Sequence, residues 1–499
     1  MFSTSDKWEA FKNHRRAWRT LEPTHSESFV RNTRDVYEAS GSTFAWGTGD
    51  ASRPILNFYQ AESNLYNRPA RRWDLKEFGL SSFRDFTINE QEDLLILIEE
   101  PRTTGAFFMP APTDDQPTLI LHFRSLSTGN PHPLASKPFL SMSGTPLQCQ
   151  RMNCQVMGNT FGILLSYWEQ APSIMTVWNW VRGCMISHNE FSESAAADSF
   201  TFISDHHFLV ATHDSLSGYP ALDCYDFDVT DTPSNEFGHS TTRALSDATF
   251  YFPVPVDEEM MVGIYGFEIE SDPPSLSYSP DVSKKASRTS KTSAVRKFHR
   301  KDTAPLVVIQ FAVAPREGDE EGNDHDYLLI VPAENLLSLV STGRMDFSWE
   351  DWSSDARVTL DGVHAQGANA NQNVFSCNVS ADRVAVIDWQ EQRSATVRVL
   401  DFNPVRVQDV ARRAHINGND SGQEIPSPIR VVSGIQRDPH GELELVLTGD
   451  DLNNGITYTE MTIPRVFSSF SGIIILEEHF FILCGVGDEN LYKIEALTL

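Results

Sequence analysis

The chain has 499 residues, 40% of them apolar and 11% aromatic, and its 40 Lys and Arg face 68 Asp and Glu for a formal charge of -28. That length exceeds what one compact core serves, so the options are two or three ordinary domains or one large repeat architecture. A field of that sign repels phosphate backbones and anionic headgroups; it argues against nucleic acid and membrane surfaces and suits a protein partner with a basic face.

The first twenty residues hold Lys7, Glu9, Lys12, Arg15, Arg16 and Arg19 and no unbroken apolar stretch, so nothing there reads as a secretory signal. The longest apolar runs, such as Leu94 to Ile98, are strand-sized and far short of a membrane span. Six cysteines are too sparse for a disulfide framework, which favours a reduced compartment, the cytoplasm and/or the nucleus. The triplets Asn378-Val379-Ser380 and Asn419-Asp420-Ser421 then match a glycosylation pattern by chance.

One helix opens the chain. Trp8, Phe11, Arg15 and Trp18 recur near a 3.6-residue spacing, Ser5 or Asp6 is placed to cap its start, and Pro23 stops it. Residues 1–22 are therefore read as a helical linker segment and residues 23–499 as one β-propeller-like domain. Within the latter, short apolar runs divided by Gly, Pro, Asn, Asp and Ser predict many short strands. One kind is a solid apolar run after a polar turn: Leu94–Leu97, Phe161–Leu165, Phe208–Val210, Val384–Ile387 and Phe480–Leu483. Continuous runs of this kind belong to strands covered on both faces.

A second kind ends in a bulky residue, then Asp or Asn, then an aromatic: Trp178-Asn179-Trp180, Tyr225-Asp226-Phe227 and Leu400-Asp401-Phe402. Phe161 and Trp178 are 17 residues apart, Phe208 and Tyr225 also 17, and Val384 and Leu400 16, while Phe161 to Phe208 gives a period of 47. A period of that size with several strands per unit predicts an all-β propeller of about seven four-stranded blades, six or eight being the alternatives to seven. A pair of β-sandwiches is the competing architecture. The Asp or Asn of the second motif is expected to hydrogen-bond at the blade's turn.

Residues 271–304 are nearly devoid of apolar side chains and are read as an inserted disordered loop. Between Lys284 and Lys301 lie eight Lys and Arg and no acid. A solvated loop is the first reading of this block, and a nuclear-import or partner-docking role the second. An acidic stretch from Glu317 to Asp326 follows, close enough in sequence to pair with it. A second helix is expected over Val405–His415, after Pro404.

No constellation for catalysis survives inspection. There is no nucleophile elbow and no P-loop; His213-Asp214-Ser215-Leu216-Ser217-Gly218 reads as a hairpin turn, and Gly47-Thr48-Gly49 is too short to cradle phosphate. Cys149 and Cys154 lack a second pair at zinc-ribbon spacing. His206, His207 and His213 read as turn and edge residues, and Asp324-His325-Asp326 as part of a solvated acidic loop. Arg71-Arg72-Trp73 predicts cation–π packing rather than nucleic-acid contact. No catalytic, cofactor-binding or metal residue is assigned, and no cofactor is expected.

The segment from Trp8 to Glu22 resembles the stretch that follows the F-box in fungal (basidiomycete-type) F-box proteins. Phe86-Thr87-Ile88-Asn89 before Asp93-Leu94-Leu95-Ile96-Leu97, His122 to Gly129 with Pro131-His132-Pro133, Val177-Trp178-Asn179-Trp180 and Val399 to Pro404 resemble later parts of the same family, in order. The resemblance implies a propeller-like region that captures the substrate of a ubiquitin ligase, the F-box itself being missing from the residues before His14. A Skp-type adaptor is then a partner only if an F-box lies upstream. The expected function is non-enzymatic protein interaction. A free-standing scaffold unconnected to ubiquitination and a propeller hydrolase or lyase with its site at the central channel are the alternatives.

Overall fold

Among the described residues the strands hydrogen-bond into seven separate sheets, each built from strands adjacent in the chain, apart from one closing strand and one short parallel addition. The computed structural model describes residues 4–32, 36–50, 53–63, 68–80, 82–100, 117–143, 151–166, 172–191, 195–214, 220–227, 246–252, 264–271, 305–313, 325–353, 357–363, 379–390, 394–418, 429–432, 457–486 and 491–499. The architecture is a seven-bladed β-propeller, with blades starting at Tyr37, Phe83, Arg151, Ala195, Ile264, Val379 and Phe470. Blades 4 and 6 carry a fifth strand, Asp346–Phe347 and Ile429–Val432 respectively.

The repeated spacing in the sequence has a direct cause. Phe161 is the cross-strand partner of Trp178, Phe208 of Tyr225 and Val384 of Leu400, each time between the second and third strands of a blade. The solid apolar runs are the second strands. In blade 2, Leu94, Ile96 and Ile98 join the core shared with blade 3, while Leu95 and Leu97 join the core shared with blade 1. Side chains alternate across a strand, so a run apolar at every position fills both interfaces. Seven such cores stand one between each pair of neighbouring blades, the last between blades 7 and 1. Gly162 shows how closely they approach, since a Cβ there would lie 2.7 Å from a ring carbon of Phe200 in the next blade.

The ring closes through blade 7. Its outer strand is His25–Asn32, which pairs antiparallel with Leu491–Thr498 from His25–Thr498 to Asn32–Leu491. The turns joining first to second strands and third to fourth strands lie on one rim, and the other connections on the opposite rim. The first rim carries the helices Thr4–Thr20, Ala333–Val340 and Pro404–Gly418, while the short turn Trp349–Trp352 packs on Tyr251 and Phe252 at the other end of blade 4's fourth strand.

The opening helix differs from expectation in two respects. It starts at Thr4, so Ser5 and Asp6 lie inside it rather than at its cap, and it ends before Leu21, whose φ is +49°. Trp8 and Trp18 do not share a buried face. Only the last turns reach the ring, where Ala17, Trp18 and Leu21 are buried, whereas Trp8 is 56% exposed and stacks on Phe11 at 5.8 Å. The second helix, Pro404–Gly418, contains the expected Val405–His415. Ala333–Val340 was not anticipated, although Pro332 and Glu334 mark a helix start.

Beyond Ser271, the basic segment 272–304 lies outside the described residues, as does most of the acidic stretch. Their attachment points are described. Ser271 and Leu306 sit at the helix-bearing rim and Val313 and His325 at the other, separated by an eight-residue strand, about 25 Å at 3.3 Å per residue. Proximity in sequence therefore does not bring the anchors of the two blocks together.

Candidate binding surface

The helix-bearing rim is held by charges buried against the opening helix. Trp18, 1% exposed, meets Phe480 edge-on at 5.4 Å and lies under the Arg383 guanidinium at 3.8 Å. Asp401 ends the third strand of blade 6 with its side chain 1% exposed, and binds Arg383 at 3.2 Å and Arg406 at 2.8 Å. Arg406 also donates to the carbonyl of Trp18 at 2.8 Å, tying the helix to blade 6. On the outer side Arg15 and Arg19 share Asp409 of the second helix at 2.9 and 2.8 Å.

Two histidines complete this seam. His479 is fully enclosed; its Nε2 donates to the carbonyl of Glu62 at 2.9 Å and its Nδ1 has no hydrogen-bond partner. Burial pushes it down to about 4, with the charge of Arg68 adding to the effect. His14, on the helix, is pushed down to about 3 by burial and by Arg383, His479 and Arg406. Alongside, Glu90 accepts from Ser42 and Thr43 hydroxyls at 2.9 and 3.0 Å and from Gln60 at 3.2 Å, and pairs with Arg68. Gly41 makes room for that carboxylate: its φ is +63° and a Cβ would lie 2.7 Å from Glu90 Oε2.

Apolar side chains are also presented here. Trp8 on the opening helix, Met345 after the blade 5 helix, and Val405 on the blade 6 helix are 56%, 52% and 70% exposed. Trp8 and Val405 lie on helices above blades 6 and 7, and Met345 lies at the edge of blade 4, where its carbonyl accepts the Thr249 amide at 2.7 Å.

The first strands of the blades face one axis, and that wall is polar. Tyr37 of blade 1 senses Glu270 of blade 5, and Arg151 of blade 3 pairs with Glu268 of blade 5. Glu38 and Asp85 are half-buried. Burial pushes Glu38 up to about 7 and Asp85 to about 6, against the pull of the Ala39 and Phe86 amides that each carboxylate accepts, at 3.0 and 2.8 Å. These groups can bind a cation or hydrogen-bond donor and can exchange protons near neutrality.

The residues weighed from sequence are dispersed. His206 sits beside Asp205 at 3.5 Å, His207 hydrogen-bonds Ser204 at 2.9 Å, and His213 meets Asp198 at 3.1 Å. His207 and His213 stand near opposite ends of one strand, so they do not converge. Gly47-Thr48-Gly49 is mid-strand. His213 pairs with Pro220 across the expected hairpin, whose residues 215–219 lie outside the described residues. Cys149 and Asp324 also lie outside them, and Cys154 stands on the first strand of blade 3. Arg71 covers Trp73 at 4.0 Å, the expected cation–π packing, and Arg72 covers Tyr59 at 5.2 Å. Among the described residues no group of three His, Cys, Asp or Glu is placed to hold a metal ion, and no helix is long and apolar enough to cross a membrane.

Of the expected turn residues, Asn179 accepts from the Arg182 amide at 2.9 Å and Asp401 from the Asn403 amide at 3.0 Å. Asp226 departs: its side chain is exposed, and its own amide donates to Asp247 at 2.5 Å. Asp401 was thus legible as a turn residue, but its two arginines were not. The axial carboxylates carry no motif at all, since first strands here are short and mixed in polarity.

No protein-family model matches the chain, and no curated protein matches it. Solved structures with a similar course of the chain include the WD40 domain of coronin from Toxoplasma gondii, at 7% identity and a TM-score of 0.37, covering 95% of this chain and 87% of that one. The polysaccharide lyase Uly1 is similar at 9% identity and a TM-score of 0.38, covering 93% and 90%. The Dos1 propeller is similar at 7% identity and a TM-score of 0.35, covering 96% of each chain.

Proposed function

We propose that the chain is a non-enzymatic protein-interaction propeller that captures its partner on the helix-bearing rim, as the substrate-recognition part of an F-box-type ubiquitin ligase receptor. In this reading residues 1–22 are a helical linker, residues 23–499 the capturing domain, and the site of action the cytoplasm and/or the nucleus. The observation that carries the interaction reading is the exposure of Trp8 and Val405 on two helices and of Met345 before the strand Asp346–Phe347, additions that the ring does not need for closure. Exposed apolar groups gathered on one face mark interaction sites more often than scattered ones do. The ligase connection rests on the resemblance of the Trp8–Glu22 segment and the motifs that follow it.

The axial carboxylates favour a second reading, a hydrolase or lyase acting at the channel, because Glu38 and Asp85 are held near neutral pKa values by their surroundings. Affinity purification of the tagged protein from its own cells, with mass spectrometry, separates these. Recovery of a Skp-type adaptor and a cullin supports the receptor reading. Recovery of other partners alone, lost in the triple variant W8E/M345E/V405E, keeps the interaction propeller and overturns the ligase role. A partner set unchanged by the triple variant overturns capture at this rim.

A further inference from the structure

The outermost strand of each blade leaves a backbone edge towards solvent, and these edges are not guarded alike. At blades 4 and 6 the chain lays a further strand along the fourth, Asp346–Phe347 and Ile429–Val432. The outer strands of blades 1, 3, 5 and 7, Arg71–Leu75, Cys184–Glu190, Arg357–Val363 and His25–Asn32, all include Asp, Glu, Lys or Arg. The outer strand of blade 2, Phe139–Ser143, has none of these and no strand beside it among the described residues. A charge on an edge deters pairing with another chain, and an edge without one invites it.

The register shows what this edge offers. The Phe123 amide donates to the Pro138 carbonyl at 3.0 Å, His122 stands opposite Phe139, and Leu121 opposite Leu140. Bonded and non-bonded pairs alternate along an antiparallel ladder, so Leu140 bonds inward and the N–H and C=O groups of Phe139 and Ser141 point outward. The side chains of Leu140 and Met142 fill the core shared with blade 3, whereas Phe139 is 54% exposed and Ser141 is exposed. Lys137, just before the strand, is exposed, and no ion pair to it occurs among the described residues.

We propose that the outer strand of blade 2 is a strand-addition site for an extended segment of a partner protein, with an apolar side chain over Phe139 and an acidic residue at Lys137. Main-chain hydrogen bonds hold such a segment, and the alternate side chains select it. The ring itself shows the mode. At blade 4 the added strand pairs through two residues, with Phe347 stacked on Phe250 at 5.2 Å. A second copy of this chain fits less well than a partner, because two molecules of net charge -28 repel each other. The site is on the outer wall of the ring and does not depend on capture by the helix-bearing rim.

The test uses the full chain and a fluorescein-labelled peptide of alternating Thr and Val that ends in Asp, which antiparallel pairing brings to Lys137. Saturable binding by fluorescence anisotropy is expected, with slowed amide hydrogen exchange at Phe139 and Ser141. Ser141→Pro removes an outward N–H while leaving the inward bonds, and should lower affinity about tenfold or more. Phe139→Lys puts a charge on the edge and should lower it severalfold, with circular dichroism and melting temperature matching wild type. If Ser141→Pro does not fold, Phe139→Lys decides, since its side chain is exposed. Absence of saturable binding, wild-type affinity in Phe139→Lys, or binding that leaves exchange at Phe139 and Ser141 unchanged overturns the proposal. So does a wild-type dimer in light scattering that Phe139→Lys dissolves, which assigns the edge to a second copy.

Discussion

The rim above blades 6 and 7 and the axial wall of blades 1 and 2 both enclose ionisable groups, with opposite results. At the rim, Asp401 has two guanidiniums within 3.2 Å, so it is a paired charge, and the same cations add to burial in lowering His14, as Arg68 does for His479. On the axis, Glu38 and Asp85 each accept one amide hydrogen bond. No ion pair to either is seen among the described residues, and burial dominates. The same loss of bulk water thus lowers the histidines in one region and raises the carboxylates in the other. What decides is whether an opposite charge stands within a few ångströms.

That contrast has its largest consequence at Trp18. Trp18→Ala removes a buried indole from the blade 6–7 core and from under Arg383, and should destabilise by about 3–5 kcal/mol in urea unfolding. A loss below about 1 kcal/mol would make the helix an appendage and break the comparison at its root.

Next in size is the acid limb of stability. His14 and His479 have folded values near 3 and 4 against an ordinary 6.5, so the unfolded chain binds more protons between those limits. Their contribution is intact above about 6.5 and is lost as pH falls towards 4. His479→Gln keeps a donor for the Glu62 carbonyl and cannot take the proton. It should therefore remove part of the loss between pH 6.5 and 4, on the order of 2 kcal/mol. An unchanged acid limb in this variant would show that His479 is protonated in the folded protein.

The smallest effect has the opposite sign. Glu38 and Asp85 have folded values near 7 and 6 against ordinary values of 4.5 and 3.8, so the folded chain binds more protons in between. Their contribution is full below about 4 and is lost as pH rises towards 7. Glu38→Gln should flatten stability over that range and raise it by about 1 kcal/mol at pH 8, discounted for the part of the side chain that water still reaches. A destabilised variant at pH 8 would mean that the ionised carboxylate makes a compensating contact, and the two regions would no longer differ in kind.

Much of the ring was written locally. The 16- and 17-residue spacings became direct strand partners, the unbroken apolar runs became second strands filling two cores, and Pro404 began a helix. These features depend on backbone period and side-chain alternation, which a short window of sequence contains. Three decisions did not reside in any window. One was which tryptophan of the opening helix is buried, since Trp8 and Trp18 are chemically alike and only the position of blades 6 and 7 separates them. Another was the pairing of His25–Asn32 with Leu491–Thr498, residues from opposite ends of the chain. The third was which carboxylates meet a cation, since Asp401 is paired with Arg383 and Arg406 while Glu38 lies beside Asp85 and Thr87 of the next blade. The sequence by itself determined the repeating strand unit; the closed ring determined which charges are paired, which are neutralised, and which side chains are left facing outward.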